Sequence, residues 1–489
     1  MSPRGPSEPA ILKERGMASN GQAGDMTGEI APPPGAGGTR LARGGRSGLP
    51  AGPPLPTFAQ AAIWALRPLD LMDRCAERYG EIFTLRVRRG SPWVLISNPE
   101  HVKLLFTNQS AQIRAGAGEA NPLLEPLLGS RSVMLLDEPQ HLGDRKRLLP
   151  SFHGDRMRDY GAMMTDVAER QIRTWPTGEP FELWPRMQAI SLDVVMSAVF
   201  DELEPARREL LRERLVTLTD WINQPRRLAL LAAIGKRSIT NSSKFHHVMG
   251  EVEAVVLAEV RRRRTAGARP GREDIHSMLE REYGGEESHT SEKKMRDELV
   301  TMLSDGPTAT SLAWVFERLL RHPDKLARLR EEVLGAESEE YLDAVVKETL
   351  RLCPAVPLVM RRLAEPMQLG EHTIPPGTIV APSVYLMHRR ADLYAEPLEF
   401  RPERFLESSA GTYTWIPFGG GVRRCVAWFF AQLEMKRVIQ VVLREFDLSP
   451  AASGGESAMR SSVSFAPNGG ARVVARRRRQ GRFAEPAAA

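Results

Sequence analysis

Cysteine is scarce in this chain of 489 residues, which contains Cys75, Cys353 and Cys425 and no others. So few cysteines cannot form a disulfide framework, and this excludes the small secreted proteins that depend on one. They favour a reducing compartment, where an isolated cysteine is more often a metal ligand or a nucleophile. We therefore expect a cytoplasmic protein.

Long apolar runs are missing as well. No stretch approaches the ~20 consecutive apolar residues that a membrane-spanning helix needs, and residues 1–10 lack the apolar core of a secretory signal. The sequence also lacks a Gly-x-Gly-x-x-Gly motif after a predicted strand, the usual fingerprint of a bound flavin or nicotinamide dinucleotide. We predict no membrane anchor and, for redox chemistry, an electron donor on a separate protein.

Charge of one sign is not in marked excess, since 67 basic and 61 acidic residues give a net charge of +6. This small bias on a large surface does not indicate a nucleic-acid partner. Hydrophobic residues at 42% and charged residues at 26% are typical of a globular protein. At the ends we predict a disordered Gly/Pro-rich arm over residues 1–49 and a flexible basic tail over 477–489.

Helical periodicity dominates the sequence from residue 58 onward, and short runs of β-branched and aromatic residues interrupt it. The polar, glycine-containing stretch 265–296 predicts a surface connection. Short strands are predicted, the first two as a hairpin, at 82–87, 92–97, 358–362, 367–369, 378–381 and 471–475. The fold class is therefore mainly α with small β-sheets.

The strongest chemical signal is a glycine-rich loop that ends in a cysteine and is followed at once by a helical run. It reads Phe418-Gly419-Gly420-Gly421-Val422-Arg423-Arg424-Cys425. Glycines allow backbone N–H groups to approach the sulfur, and the start of a helix favours a thiolate over a thiol. A thiolate held in this way is an electron-donating ligand for a redox metal. Cys425 is therefore the candidate metal ligand.

The pattern Phe-x-x-Gly-x-Arg-x-Cys over 418–425 resembles the haem-binding loop of the cytochrome P450 superfamily. The resemblance covers about 50–476, and it implies a haem domain with the cytochrome P450 fold and haem b (iron protoporphyrin IX) as cofactor. It also implies that Cys425 is the axial iron ligand, that Phe418 packs by the proximal haem face, and that Arg423 pairs with a haem propionate. The chain departs from the usual loop at Ala427, where the family usually has glycine.

A structural triad is implied by two further motifs in the order expected of the family. Glu348 and Arg351 lie three residues apart, on one face of a predicted helix. The resemblance implies that Arg404, in the segment 400–405, completes a buried ion network with them. Such a network fixes the fold around the cysteine loop more than it adds net stability.

Haem propionate partners are implied upstream of the cysteine loop. His141 and Arg145 lie four residues apart on a predicted helix, in the position of a family pair that reaches the propionates. Either Arg361 or Arg362 is a further expected partner, and Arg362 is taken as the candidate.

The helix expected to cross the distal haem face departs furthest from the family pattern. Where the family usually has an acid followed by a threonine, an ungapped match places Gly306 and Pro307. A match that allows a short deletion instead brings Asp305 near the position of the acid and Thr308 to that of the alcohol. Because proline in a helix interior removes a hydrogen bond, we expect a kink here. Asp305 and Thr308 are the candidate catalytic residues, for proton delivery.

The leading hypothesis is a monomeric haem-thiolate monooxygenase that inserts one oxygen atom from O2 into a hydrophobic small molecule. Electrons would come from a ferredoxin or flavodoxin and its reductase, and Arg423, Arg424, Lys436 and Arg437 are candidates for a basic docking face. The resemblance leaves two alternatives open, because peroxide-using and isomerising relatives lack the acid–threonine pair. One alternative is a peroxide-using or isomerising haem-thiolate enzyme. The other is a non-enzymatic haem or ligand-binding protein.

Overall fold

The computed structural model describes residues 48–87, 91–108, 113–115, 124–223, 240–267, 274–283, 288–304, 306–335, 338–461 and 463–478. Helices form most of this part of the chain. They are α1 (Thr57–Leu66), α2 (Pro68–Tyr79), α3 (Pro99–Thr107), α4 (Glu125–Leu128), α5 (Gln140–Leu148), α6 (Arg156–Ile172), α7 (Leu183–Val199), α8 (Pro205–Asn223), α9 (Ser243–Ala266), α10 (Ile275–Tyr283), α11 (Ser288–Leu303), α12 (Pro307–Arg321), α13 (Pro323–Gly335), α14 (Glu340–Leu352), α15 (Val384–Met387), α16 (Arg404–Glu407) and α17 (Trp428–Glu445). Among the described helices, none is long and apolar enough to cross a membrane.

The described strands form four small sheets. They are β1 (Ile82–Leu85), β2 (Trp93–Ile96), β3 (Ile113–Arg114), β4 (Pro180–Glu182), β5 (Arg361–Leu363), β6 (Met367–Leu369), β7 (His372–Ile374), β8 (Ile379–Pro382), β9 (Phe446–Pro450), β10 (Ala458–Ser461), β11 (Ser464–Pro467) and β12 (Arg472–Arg477). The largest sheet has the order β1-β2-β8-β5-β3, and the others are β4-β12-β9, β6-β7 and β10-β11. The predicted hairpin is the antiparallel pair β1 and β2.

The start of α3 shows how local sequence fixes a helix boundary. Asn98 precedes the helix in an extended conformation, and its side chain accepts hydrogen bonds from the N–H groups of Glu100 and His101 at 2.8 and 3.3 Å. Pro99 occupies the first helical position, where no N–H is needed. The cap and the proline together direct α3 toward the cysteine loop, against which it packs.

The predicted surface connection at 265–296 is wrong, because α10 and α11 occupy most of its described part. Ile275 and Leu279 of α10 are buried, and so are Met295 and Leu299 of α11. Each pair is four residues apart and therefore lies on one helix face. Each of the two helices thus has an apolar face despite the many polar residues of this stretch, and these faces pack into the core.

The main core lies where α6, α7, α12 and α17 pack on one another. Each helix contributes fully buried side chains, for example Met164, Ile190, Leu312 and Val438. Since α17 follows the cysteine loop and α12 is part of the predicted distal segment, this packing holds both segments against the same core.

The end of the described chain is a paired strand. β12 continues to Arg477, beyond the strand predicted at 471–475, and Arg477 pairs with Phe446 of β9. The N–H of Arg478 donates to the carbonyl of Glu445 at 2.9 Å. The first residues of the predicted tail are therefore hydrogen-bonded to the fold. Residues 479–489 and most of the predicted arm, 1–47, lie outside the described residues.

Candidate active site

The glycine-rich loop turns sharply before Cys425 and packs against α3. Gly419 and Gly421 have φ angles of +70° and +65°, a conformation that side chains rarely adopt. A Cβ added to Gly420 would lie 2.2 Å from Phe106 Cδ2, and one added to Gly421 would lie 2.1 Å from the Phe106 carbonyl oxygen. The backbone conformation and the close approach of α3 therefore both require glycine in this loop.

Cys425 follows this turn and is exposed. Its N–H donates to the carbonyl of Phe418 at 2.9 Å, which closes the loop. The helix α17 begins at Trp428, so Cys425 lies just before the helix rather than at its first position.

A cavity of about 1830 Å³ opens over Cys425. Ligand pockets usually measure about 300–1,000 Å³, so this cavity has room for a prosthetic group and a substrate together. Apolar side chains from many elements form much of its wall, among them Val133, Val195, Leu358, Phe430 and Phe465. The described part of the lining contains no aspartate or glutamate.

The polar part of the wall near Cys425 is cationic and contains Arg145, Arg361, Arg423 and Arg424, with His141. Burial, and after it the charge of Arg423, lowers the pKa of Arg361 to about 10. Nη2 of Arg361 and Nε of Arg423 are buried and have no hydrogen-bond partner among the described residues. A buried cation is costly unless an anion and hydrogen-bond acceptors surround it. These guanidinium groups therefore fit an anionic ligand.

Positive charge also surrounds the sulfur of Cys425. Burial lowers the pKa of both Arg145 and Arg424, and negative charge on Cys425 opposes this shift in each case. Arg424 stacks over the Trp428 ring, with its guanidinium carbon 3.8 Å from the ring centroid. Since a neighbouring cation favours the charged form of a thiol, the site favours a thiolate at Cys425.

One carboxylate holds two of the predicted cofactor-binding residues. Glu138 Oε1 lies 2.8 Å from Nδ1 of His141 and 3.3 Å from Nη2 of Arg423. Arg423 also donates from Nη1 to the carbonyl of Leu136 at 2.6 Å. Burial, followed by the charge of Arg423, lowers the pKa of His141 to about 4. An anion bound beside the ring would favour its protonated form.

Arg361, and not the predicted Arg362, lines the described wall of the cavity. Both residues belong to β5, and successive side chains of a strand point to opposite faces. Arg361 is only 7% exposed, and its Nη1 donates to the carbonyl of Met360 at 2.8 Å. Arg361 is therefore the better placed of the two candidates, and its contact with a propionate stays a prediction. The sequence could not separate the two because β5 is only three residues long.

Glu348, Arg351 and Arg404 come together as a buried ion network at α14. Arg351 donates from Nε and Nη2 to the two carboxylate oxygens of Glu348, at 2.7 and 2.9 Å, and Arg404 donates from Nε to Oε1 at 3.2 Å. The two arginines also donate to backbone carbonyls of His388, Ala395, Glu396, Pro397 and Glu399. The network therefore joins α14 to the chain that leads into the cysteine loop.

His388 belongs to the same framework, and the sequence reasoning missed it. Its Nδ1 lies 3.1 Å from the carbonyl of Arg351, and its Nε2 accepts from the N–H of Ile416 at 2.9 Å. Burial lowers the pKa of His388 to about 3, so the ring is neutral and donates on one side while it accepts on the other. Ile416 lies just before the cysteine loop, which the ring thus ties to α14. No motif marks such a histidine in the sequence.

The predicted distal segment consists of two helices and not of one kinked helix. α11 ends at Leu303, and α12 begins at Pro307 after Gly306. Pro307 therefore stands at a first helical position, where its missing N–H costs nothing, and the expected kink is wrong. Thr308 is 8% exposed and lines the cavity, whereas Asp305 lies outside the described residues.

Further hydroxyl groups line the cavity around this break, at Thr301, Ser304 and Ser311. Ser304 and Ser311 each donate to the backbone carbonyl four residues earlier, at 2.7 and 2.9 Å. The Thr301 hydroxyl lies 2.7 Å from the hydroxyl of Ser132. None of these three residues belongs to the family's acid–threonine pattern, which pointed only to Thr308 among the hydroxyl groups.

The family model for cytochrome P450 matches residues 50–470. The chain belongs to the cytochrome P450 family. Proteins named cytochrome P450 135B1 and cytochrome P450 137, both from Mycobacterium tuberculosis, are each 34% identical to it. The matches cover 88% of this chain and 92% and 91% of those two proteins.

Solved structures confirm the cytochrome P450 fold. A cyanobacterial CYP120A1, solved with bound retinoic acid, has a TM-score of 0.71 and 22% identity, and the match covers 88% of this chain and all of that one. CYP175A1 from Thermus thermophilus has a TM-score of 0.68 and 25% identity, with 86% and 98% covered. The predicted fold class is thus confirmed.

Membership of the cytochrome P450 family makes the chain, in general terms, a monooxygenase with a haem whose iron is bound by a cysteine thiolate. The cavity fits such a group on three counts. It is larger than a substrate pocket alone, it exposes a cysteine to cationic neighbours, and its wall holds buried guanidinium groups suited to carboxylates.

The structure places the four residues of the suggested basic docking face in different local contacts. Lys436 and Arg437 both bind Glu339, at 3.1 and 2.5 Å, and Arg423 belongs to the cavity wall. Arg424 stacks on Trp428. Lys436 and Arg437 therefore share one carboxylate of the same protein, which compensates only part of their charge.

Proposed function

We propose that this cytochrome P450 inserts one oxygen atom from O2 into a hydrophobic small molecule, with haem b in the cavity and Cys425 as its axial ligand. One observation carries the proposal: a single large cavity brings the exposed Cys425, a cluster of cations and a wide apolar wall together. The bound haem supplies the oxygen-activating chemistry.

The residues around the haem have separable tasks in this proposal. Arg145 and Arg424 stabilise the negative charge of the thiolate. Arg361 and Arg423, with His141 and Arg145, bind the two propionates, and Glu138 holds Arg423 and His141 in place. Phe418 lines the cavity beside Cys425, and it would pack against the bound haem. The apolar wall excludes water and holds the substrate.

Replacing Arg361 by glutamine is expected to accelerate haem loss about tenfold or more, because a charge-assisted hydrogen bond is worth about 1.5–3 kcal/mol. The adjacent Arg362→Gln variant is the matched control, since Arg362 lies outside the described lining. The rate of haem transfer to an acceptor haemoprotein measures the effect. Equal rates for the two variants would contradict the assignment of Arg361.

Electrons are proposed to come from a ferredoxin or flavodoxin and its reductase. The support is the lack of a flavin or nicotinamide fingerprint in the sequence. Product formation with such a pair, and none without it, is the expected result.

A second candidate function, turnover with hydrogen peroxide, is favoured by the distal side of the cavity. Its described lining holds hydroxyl groups but no carboxylate. In the leading proposal Asp305 and Thr308 hold the protons that oxygen activation requires. Higher turnover with peroxide than with a ferredoxin and its reductase would select the second function.

The native protein is expected to couple electron consumption poorly to product, because the described wall of the cavity has no carboxylate. A positioned acid typically contributes about 10²–10⁴-fold to a proton-transfer step. Asp305→Ala and Thr308→Ala should each lower the remaining coupling further, and Gly306→Glu combined with Pro307→Thr should raise it. Ser304→Ala is the matched control, since that hydroxyl donates to its own helix. The measurement is the ratio of product and of released peroxide to reduced nicotinamide consumed.

Efficient coupling in the native protein, with no loss in Asp305→Ala or Thr308→Ala, would overturn this account of the distal residues. A loss in Ser304→Ala as large as that in Thr308→Ala would overturn the special role of Thr308.

A further inference from the structure

The first helix of the described chain turns its apolar side outward. Gln60 of α1 is fully buried, and its side chain donates to the carbonyl of Leu55 at 2.7 Å and accepts from the N–H of Arg86 at 2.7 Å. At about 100° per residue, Phe58 and Leu66 lie on the opposite side of the helix, where they are 77% and 80% exposed. An ordinary surface helix has the reverse arrangement, with apolar residues inside and polar residues outside. The outer face of α1 is therefore suited to an apolar partner.

This apolar surface continues around the mouth of the cavity. Phe58, Leu66, Met134 and Val463 are exposed, and all of them also line the cavity. They belong to α1, to the segment between α4 and α5, and to the turn between β10 and β11, which are far apart in the sequence. We call these side chains the apolar rim. Exposed apolar side chains that collect at one opening indicate an interaction site, whereas single ones scattered over a surface need no explanation.

Positive charge accompanies α1 along the chain. Residues 30–69 contain Arg40, Arg43, Arg46 and Arg67 and no aspartate or glutamate, although the charge of the whole chain is nearly balanced. Arg67 directly follows α1 and is exposed. Anionic lipid headgroups attract arginine, and the acyl boundary beneath them accepts apolar side chains. A second copy of this chain is a poorer partner, because it would bring like charges together. The charge therefore favours an anionic lipid surface.

We propose that α1 and the apolar rim dock this protein reversibly on an anionic lipid surface. Because α1 has only 10 residues, it lies in the plane of the interface and does not cross the bilayer. Phe58 and Leu66 enter the apolar boundary, while Arg67 stays among the headgroups. The mouth of the cavity then faces the lipid, from which a hydrophobic substrate enters directly. This use of the contact rests on the proposed function, whereas the contact itself does not.

The test measures binding of the full-length, haem-loaded protein to lipid vesicles by co-sedimentation. The vesicles contain phosphatidylcholine alone, or phosphatidylcholine mixed with the anionic lipid phosphatidylglycerol. We expect about tenfold or more stronger binding to the anionic vesicles, and weaker binding as salt is added, because salt screens exposed charges. The double variant Phe58→Ser/Leu66→Ser should lower the partition coefficient about tenfold or more, because it removes the side chains that enter the lipid.

Two further variants sharpen the result. Leu398→Ser removes an apolar side chain that is 70% exposed but lies outside the described lining, and it should bind as the native protein does. Arg67→Gln should lower binding to the anionic vesicles about fivefold and leave binding to the neutral vesicles unchanged.

Three outcomes would overturn the inference. They are no binding to vesicles, equal binding to the two kinds of vesicle, and native affinity in the double variant. A dimer in light scattering that the double variant converts to a monomer would also overturn it, because the surface would then belong to a second copy. Failure of the proposed function shows separately, as a reduced carbon monoxide complex without the spectrum of thiolate-ligated haem in a protein that still binds vesicles.

Discussion

The Cys425→Ala variant is expected to lose the far red-shifted Soret band that the reduced, thiolate-ligated haem gives with carbon monoxide. The reason is chemical: alanine offers no ligand, and Cys425 is the cysteine that lines the described cavity. The loss should be complete rather than partial. The difference spectrum of the reduced protein with and without carbon monoxide measures it.

The other two cysteines are the controls. Burial raises the pKa of Cys75 to about 11 and also raises that of Cys353, so both remain protonated thiols at neutral pH. Cys75→Ala and Cys353→Ala should therefore keep the red-shifted band. A Cys425→His variant tests the case in which alanine prevents haem retention, because it should bind haem with the band of a nitrogen ligand. Persistence of the thiolate band in either Cys425 variant would refute the assignment.

The cysteine loop was the part of the site that could be predicted best, because its function constrains several neighbouring residues at once. Positive φ angles at Gly419 and Gly421 and the close approach of Phe106 leave little choice but glycine there. Such a dense local pattern is visible in one sequence. Glu348 and Arg351 are also close together in the sequence. This pair could be recognised because the later motifs follow it in the order expected of the family.

Features that depend on distant chain segments could not be predicted. Arg361 faces the cavity because β5 pairs with β8 and β3, and neither pairing is encoded in the short strand itself. The break before Pro307 was misread for a related reason. A proline predicts either a kink or a new helix, and only the separate packing of α11 and α12 decides between them.

Glu348→Ala is the second change with a large expected effect. Removal of the carboxylate leaves Arg351 and Arg404 buried without an anion, which typically costs about 3–5 kcal/mol of unfolding free energy. The N–H of Arg401 also loses its acceptor, since it donates to Glu348 Oε1 at 2.8 Å. We expect a lower yield of folded protein and a lower haem content, measured by denaturant unfolding and by the ratio of haem to protein.

Glu340→Ala is the matched control, because Glu340 lies in the first turn of the same helix but is exposed. It should unfold at nearly the native denaturant concentration. Glu348→Gln separates charge from shape: it can still accept hydrogen bonds, yet it leaves two buried cations without a counter-charge, so most of the loss should remain. Normal stability and haem content in Glu348→Ala would show that the network does not support the cysteine loop. Loss of haem at unchanged stability would instead indicate that it orients the loop, since Arg351 holds the chain from His388 onward by its carbonyls.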